Sequence, residues 1–196
     1  MGTATAGTRP GPPLTVIAGS TAAISLLVAT AVFAAVRFEP TGPLGLDVVA
    51  AVLACALVPV TIYRPVTGGL ALSVLAVVSH VVTPAATFAA LHTARQRPLR
   101  QALLVGFAGV AGHAVLGWWR PAAGLSYRWW LLLVAVAYAA LLGWGTWAQA
   151  REALLTSLSD RAARAEDEQH RRVAEARLAE RTRMAREMHD VLAHRL

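Results

Sequence analysis

The sequence predicts an all-α protein, a multi-pass transmembrane helix bundle that continues into a long cytoplasmic dimerisation helix. Three observations lead there. Of 196 residues, 56 % are hydrophobic, above the share in ordinary soluble domains. Charge is divided unevenly: residues 1–150 carry two acids, Glu39 and Asp47, and eight arginines, whereas 151–196 carry nine acids and ten arginines. Finally, no Gly or Pro occurs from Ala148 to Leu196, so nothing breaks a helix there.

Residues 1–13 are expected as a disordered tail ahead of a sensor bundle over 14–147. The run Leu14–Val36 has no charge for twenty-three residues, about 34 Å as a helix, enough to cross a bilayer. It is too long for the apolar core of a signal peptide, and further spans follow. A second span, Leu46–Tyr63, begins near Asp47, read as an interfacial residue at a helix N-terminus rather than a buried charge. The third region, Val66–Leu91, is too long for one minimal span and too short for two comfortable ones. Pro84 either kinks one long helix or opens a second, with Thr83 as its cap.

Arginine placement favours the break. With a cytoplasmic C-terminus, six helices put Arg9, Arg64 and the trio Arg95, Arg97 and Arg100 on the inside, whereas five put Arg9 and Arg64 outside. Six, with a short and non-ideal third and fourth, is therefore preferred over five. The last two spans, Gln101–Gly117 and Trp129–Trp147, flank a loop bordered by Trp118–Trp119 and Trp129–Trp130, as in an aromatic belt. Arg120 and Arg128 on this outer loop run against the positive-inside bias. Outer loops are short, which excludes a folded extracellular sensor domain and leaves the stimulus to be read in or beside the bilayer.

All eighteen basic residues are Arg, but no contiguous basic face forms, so a nucleic-acid partner is not expected and anionic lipid headgroups account for the charge. Cys55, the single cysteine, is read as a buried, inert thiol. Intramembrane His80 and His113 are candidates for sensing or metal ligation, but without a third ligand the expected state is a neutral imidazole bonded to a nearby carbonyl.

Residues 148–175 are read as a signalling coiled-coil helix. Leu155, Leu158, Ala162 and Ala165 form a three-four seam, which resumes in shifted phase at Ala174, Leu178, Ala185, Met188 and Leu192. A parallel homodimer gives this stripe a place to be buried. In the terminal segment, 176–196, His189 and His194 are five residues apart and about 140° apart around a helix, so they do not make a zinc pair and no metal site is expected. Asp190 and His194 are four apart and share a face. His189 lies off the seam and is expected to be exposed, with Glu187 and Asp190 beside it as proton acceptors.

The stretch ERTRMAREMHDVLAHRL, residues 180–196, resembles the phosphoacceptor motif of bacterial two-component sensor histidine kinases of the DesK-like and nitrate-sensor-like subfamily. Met184 and Met188 stand where Ile and Leu are commoner. The resemblance implies that His189 accepts the γ-phosphoryl group of ATP and passes it to an aspartate of a response regulator. It further implies that Asp190 polarises His189, that Asp190 and His194 position water to dephosphorylate the regulator, and that Glu187 and Arg186 support these steps. ATP and Mg2+ would be held by a nucleotide-binding domain that these residues do not include, and 176–196 is read as the truncated start of the phosphotransfer domain. The expected location is the plasma membrane, and the stimulus stays open among membrane thickness, envelope stress, a lipophilic compound and a neighbouring membrane protein. The rival reading is a small integral-membrane transporter or scaffold with a partner-docking tail, disfavoured at this stage by the want of an internal repeat or a buried carboxylate.

Overall fold

The computed structural model describes residues 13–38, 43–121 and 124–193. Six α-helices follow one another: α1 (Leu14–Phe38), α2 (Leu44–Tyr63), α3 (Pro65–Leu75), α4 (Thr83–Gln96), α5 (Leu99–Trp119) and α6 (Tyr127–Ala193), with a one-turn 3-10 helix, His80–Val82, between α3 and α4. The expected tail, residues 1–13, lies outside the described residues except for Pro13. By internal contacts the chain divides into two compact units, Met1–Gln149 and Ala150–Leu196.

In the first unit, α1, α2, α5 and the apolar start of α6 are long and apolar enough to cross a membrane. The third and fourth helices are not. At 1.5 Å per residue, α3 and α4 reach only about 16 and 21 Å, short of a hydrocarbon core of about 30 Å. The expected break is present, and it makes the third and fourth helices short, as expected. It is also wider than a single proline would make it, because α-helix stops at Leu75 and resumes at Thr83, with only the 3-10 turn between. Pro84 sits in the first turn of α4, where its missing N–H costs nothing. Thr83 is not the cap: Val82 is, and it makes no side-chain capping bond. Ser79 caps the 3-10 turn instead, its hydroxyl accepting from the Val81 N–H at 3.3 Å.

Small residues let the short helices sit at the centre. Ala85, Ala86, Ala89, Ala90 and Ala94 of α4 are all buried, so neighbouring backbones approach closely, the usual way to pack helices where lipid is as apolar as the protein. Gly112 of α5 lies against the Ser73 carbonyl of α3, where any Cβ would collide with backbone. Pro65 starts α3 one residue after α2 ends, and the Thr93 hydroxyl of α4 lies 3.1 Å from the Pro65 carbonyl, tying α4 to that turn. The first helix is the least enclosed: 11 % of its most apolar stretch is buried, against 44 % for α5. Cys55 is half-buried rather than fully so, and forms no disulfide.

In the second unit, residues 150–193 are one continuous stretch of α6, as the lack of Gly and Pro predicts. Every side chain described there is exposed, including Leu155, Leu158, Leu178 and Met188 of the expected seam. Its visible support is local, in Arg172–Glu168 and Arg183–Glu180 ion pairs along the helix.

Candidate functional site

The polar residues of the first unit meet at one end of the bundle. Asp47 lies in the first turn of α2, Ser79 and His80 in the break between α3 and α4, and Arg120 caps the C-terminus of α5. Arg120 donates to both carboxylate oxygens of Asp47, at 2.7 Å from Nη1 to Oδ1 and 3.2 Å from Nη2 to Oδ2. The Ser79 hydroxyl donates to Oδ1 at 2.5 Å. Asp47 is 2 % exposed and the Arg120 side chain 12 %. The sequence reading that Asp47 is not a buried charge is therefore corrected. It does stand at a helix N-terminus, but other helices cover it, and its charge is met by a guanidinium in paired geometry. The bundle does contain a buried carboxylate. Arg120 is accounted for by the same contact, since its position on that loop is fixed by Asp47 and not by the topology bias.

Trp119 reinforces this corner. Its Nε1 donates to the Val77 carbonyl in the break at 2.8 Å, and the Arg120 guanidinium lies 5.9 Å from its ring centroid, within cation–π range. Trp118, Trp119 and Trp129 are exposed near these helix ends, as an aromatic belt requires. A cavity of about 350 Å3 opens beside the ion pair. Asp47, Ser79, His80 and Arg120 form its polar side, and Ala31, Ala34 and Ala35 of α1 form an apolar wall.

Deeper in the bundle, His113 is 1 % exposed. Its Nδ1 is 2.8 Å from the Gly109 carbonyl and its Nε2 is 3.1 Å from the Thr83 hydroxyl. A carbonyl only accepts, so Nδ1 carries the proton and Nε2 accepts from Thr83, which fits the neutral, carbonyl-bonded imidazole the sequence suggested. The Tyr138 ring meets it edge-on at 5.6 Å, and the Trp130 indole lies edge-on to His80 at 5.8 Å. Among the described residues no group of His, Cys, Asp or Glu is arranged to hold a metal ion. His113 thus acts as a tie between α4 and α5.

The residues singled out for phosphotransfer are elsewhere. Glu187, His189 and Asp190 lie on the α6 backbone near its C-terminal end, and His194 lies outside the described residues. Helical geometry sets Glu187 and Asp190 three residues apart, as neighbours along one side, with His189 turned about 100° from Asp190. Arg186 is exposed. Residues 180–193 of the motif are one run of the α6 helix. No family model matches the chain, and no curated protein or solved structure matches it either.

Proposed function

We propose that the chain is the membrane sensor and phosphoacceptor part of a two-component histidine kinase, placed in the plasma membrane with α6 leading into the cytoplasm and working as a homodimer. The observation that carries this reading is the continuity of α6, which begins among apolar membrane residues and ends on the His189–Asp190 pair of the 180–196 motif with no helix breaker between. A stiff helix of that kind suits a signal relay, because a twist or shift imposed at one end is delivered at the other. In the reaction, Nε2 of His189 attacks the γ-phosphorus of ATP held by a nucleotide-binding domain. ADP leaves, and the phosphoryl group then passes to a regulator aspartate. Asp190 accepts the Nδ1 proton's hydrogen bond and makes Nε2 a better nucleophile. Asp190 and His194 position the water that later strips the regulator.

Supplying the ATP-binding domain of a related kinase in trans, with γ-labelled ATP, tests this. The expected product is an acid-labile, base-stable phosphoryl group that disappears in His189→Gln. Label that survives in His189→Gln, or no label with a domain that phosphorylates its own acceptor, overturns the reading.

A second reading, a small transporter with a docking tail, draws support from the buried Asp47–Arg120 pair and the interrupted α3–α4 segment, both common at transport sites. The pair sits at helix ends rather than mid-span, which favours the sensor. Electrogenic or pH-coupled uptake in proteoliposomes, lost in Asp47→Asn, would reverse that preference.

A further inference from the structure

A groove of about 400 Å3 runs between α5 and the apolar start of α6. Phe107 and Val110 line it from α5, and Tyr138, Leu142, Gly143 and Thr146 from α6. Glycines give the contact its shape: a Cβ on Gly106 would strike the Leu142 side chain, and one on Gly109 would strike the ring and hydroxyl of Tyr138. The phenol is thereby laid against the α5 backbone. Phe107 is exposed, so the groove opens on the outside of the bundle.

Polar groups are few in it. Of the lining side chains only those of Tyr138 and Thr146 carry a polar atom, and the Thr146 hydroxyl already donates to the Leu142 carbonyl at 2.9 Å. Tyr138 is 2 % exposed, and its buried hydroxyl has no hydrogen-bond partner among the described residues. The neighbouring imidazole of His113 cannot serve, because Nδ1 is held by the Gly109 carbonyl and Nε2 by the Thr83 hydroxyl. Such a phenol is an O–H donor that calls for an acceptor.

Depth limits where that acceptor can come from. Tyr138 lies about three turns into α6, so where this helix crosses a bilayer the residue stands roughly 16 Å from the start at Tyr127, near the middle of a hydrocarbon core about 30 Å thick. Lipid oxygens lie at the two faces of that core, and acyl chains carry none. Lipid can therefore fill the groove without answering the phenol. A charged ligand is disfavoured as well, since no lining side chain offers an opposite charge. What fits is a neutral apolar molecule that brings its own acceptor, in a space of the size that small-molecule sites have.

We infer that the groove between α5 and α6 is a binding site for a neutral, membrane-partitioning molecule bearing a carbonyl-type acceptor, which takes the Tyr138 O–H hydrogen bond. The site touches the helix that leads to His189, but the inference concerns binding alone. It rests on α6 crossing the membrane and not on phosphorylation at its far end.

Fluorenone and fluorene, one tricyclic shape with and without a carbonyl, are the probes. The full chain in phosphatidylcholine vesicles is equilibrated with each in tritiated form, and retention above that of protein-free vesicles is measured, corrected for partition into the lipid. The wild type should retain fluorenone about tenfold more tightly than fluorene, the worth of one hydrogen bond. Tyr138→Phe removes only the hydroxyl and should bring the two to parity. The carbonyl stretch of fluorenone, read by infrared spectroscopy, should fall on binding to the wild type and not on binding to Tyr138→Phe. Gly143→Leu places a side chain where a Cβ meets open space, so it fills the groove without a clash and should abolish retention of both probes; it decides the matter if Tyr138→Phe fails to fold. Equal retention of the two probes by the wild type, an unshifted stretch, or a preference that survives in Tyr138→Phe or in Gly143→Leu overturns the proposal.

Discussion

The two units of this chain meet their polar groups in opposite ways. In Met1–Gln149 several polar groups are tied to segments distant in sequence: Asp47 to Arg120, Ser79 to Asp47, His113 to Thr83, Trp119 to Val77. In Ala150–Leu196 the described ion pairs, Arg172–Glu168 and Arg183–Glu180, join neighbours one turn apart on the same helix, and the described apolar side chains are exposed. A bilayer solvates polar groups poorly, so ties of this kind stabilise the first unit. Water solvates them in the second, so local pairs suffice there. The first unit is specified by tertiary contacts and the second by helix propensity plus whatever its exposed stripe meets.

The largest effect should come from cutting the long-range tie. Asp47→Ala breaks the buried ion pair with Arg120 and should cost about 3–5 kcal/mol of stability, read as a lower unfolding midpoint in detergent. Asp47→Asn with Arg120→Gln should return most of that loss. A loss in the double variant as large as in the single one would show that the pair is not the source. Next comes the contact of α5 on α3. Gly112→Leu forces a side chain against the Ser73 carbonyl and should cost about 1–3 kcal/mol, whereas Gly19→Leu, which meets open space on α1, should leave the midpoint unchanged.

Substitutions in the second unit should barely register in that assay. Leu158→Asp should leave the midpoint of the bundle within about 0.5 kcal/mol. It should nevertheless abolish disulfide crosslinking through a cysteine placed at 162 in a Cys55→Ser background, if the exposed stripe is a dimer seam. Crosslinking that persists in Leu158→Asp places the interface elsewhere. Smallest of all, Arg172→Ala removes one exposed ion pair and should change helicity by no more than about 0.5 kcal/mol, an effect that salt erases.

Sequence legibility followed the same division. The continuous helix after Trp147 was readable because it depends on local properties, the abundance of Ala, Arg, Glu and Leu and the want of Gly and Pro. The apolar runs of α1, α2 and α5 were readable for the same reason, to within a few residues at each end. The break between α3 and α4 was readable from Pro84, but its width was not, because helix ends at Leu75 are set by tertiary contacts of Ser79 and Trp119 rather than by a local breaker. The Asp47–Arg120 pair was missed, although the sequence held a signal for it. An acid in an otherwise nearly acid-free half and an arginine on the wrong loop were each anomalous alone, and each resolves the other. The phosphotransfer residues rest on the resemblance of residues 180–196 alone.

The Asp47–Arg120 contact also orders events at synthesis. Its partners are 73 residues apart, and at the pace of translation, about 5–20 residues per second, the acid leaves the ribosome on the order of ten seconds before its base. During that interval α2 carries an unmatched carboxylate at the edge of the lipid. The second helix is therefore complete only once the fifth has been made, so its final packing depends on a segment synthesised later.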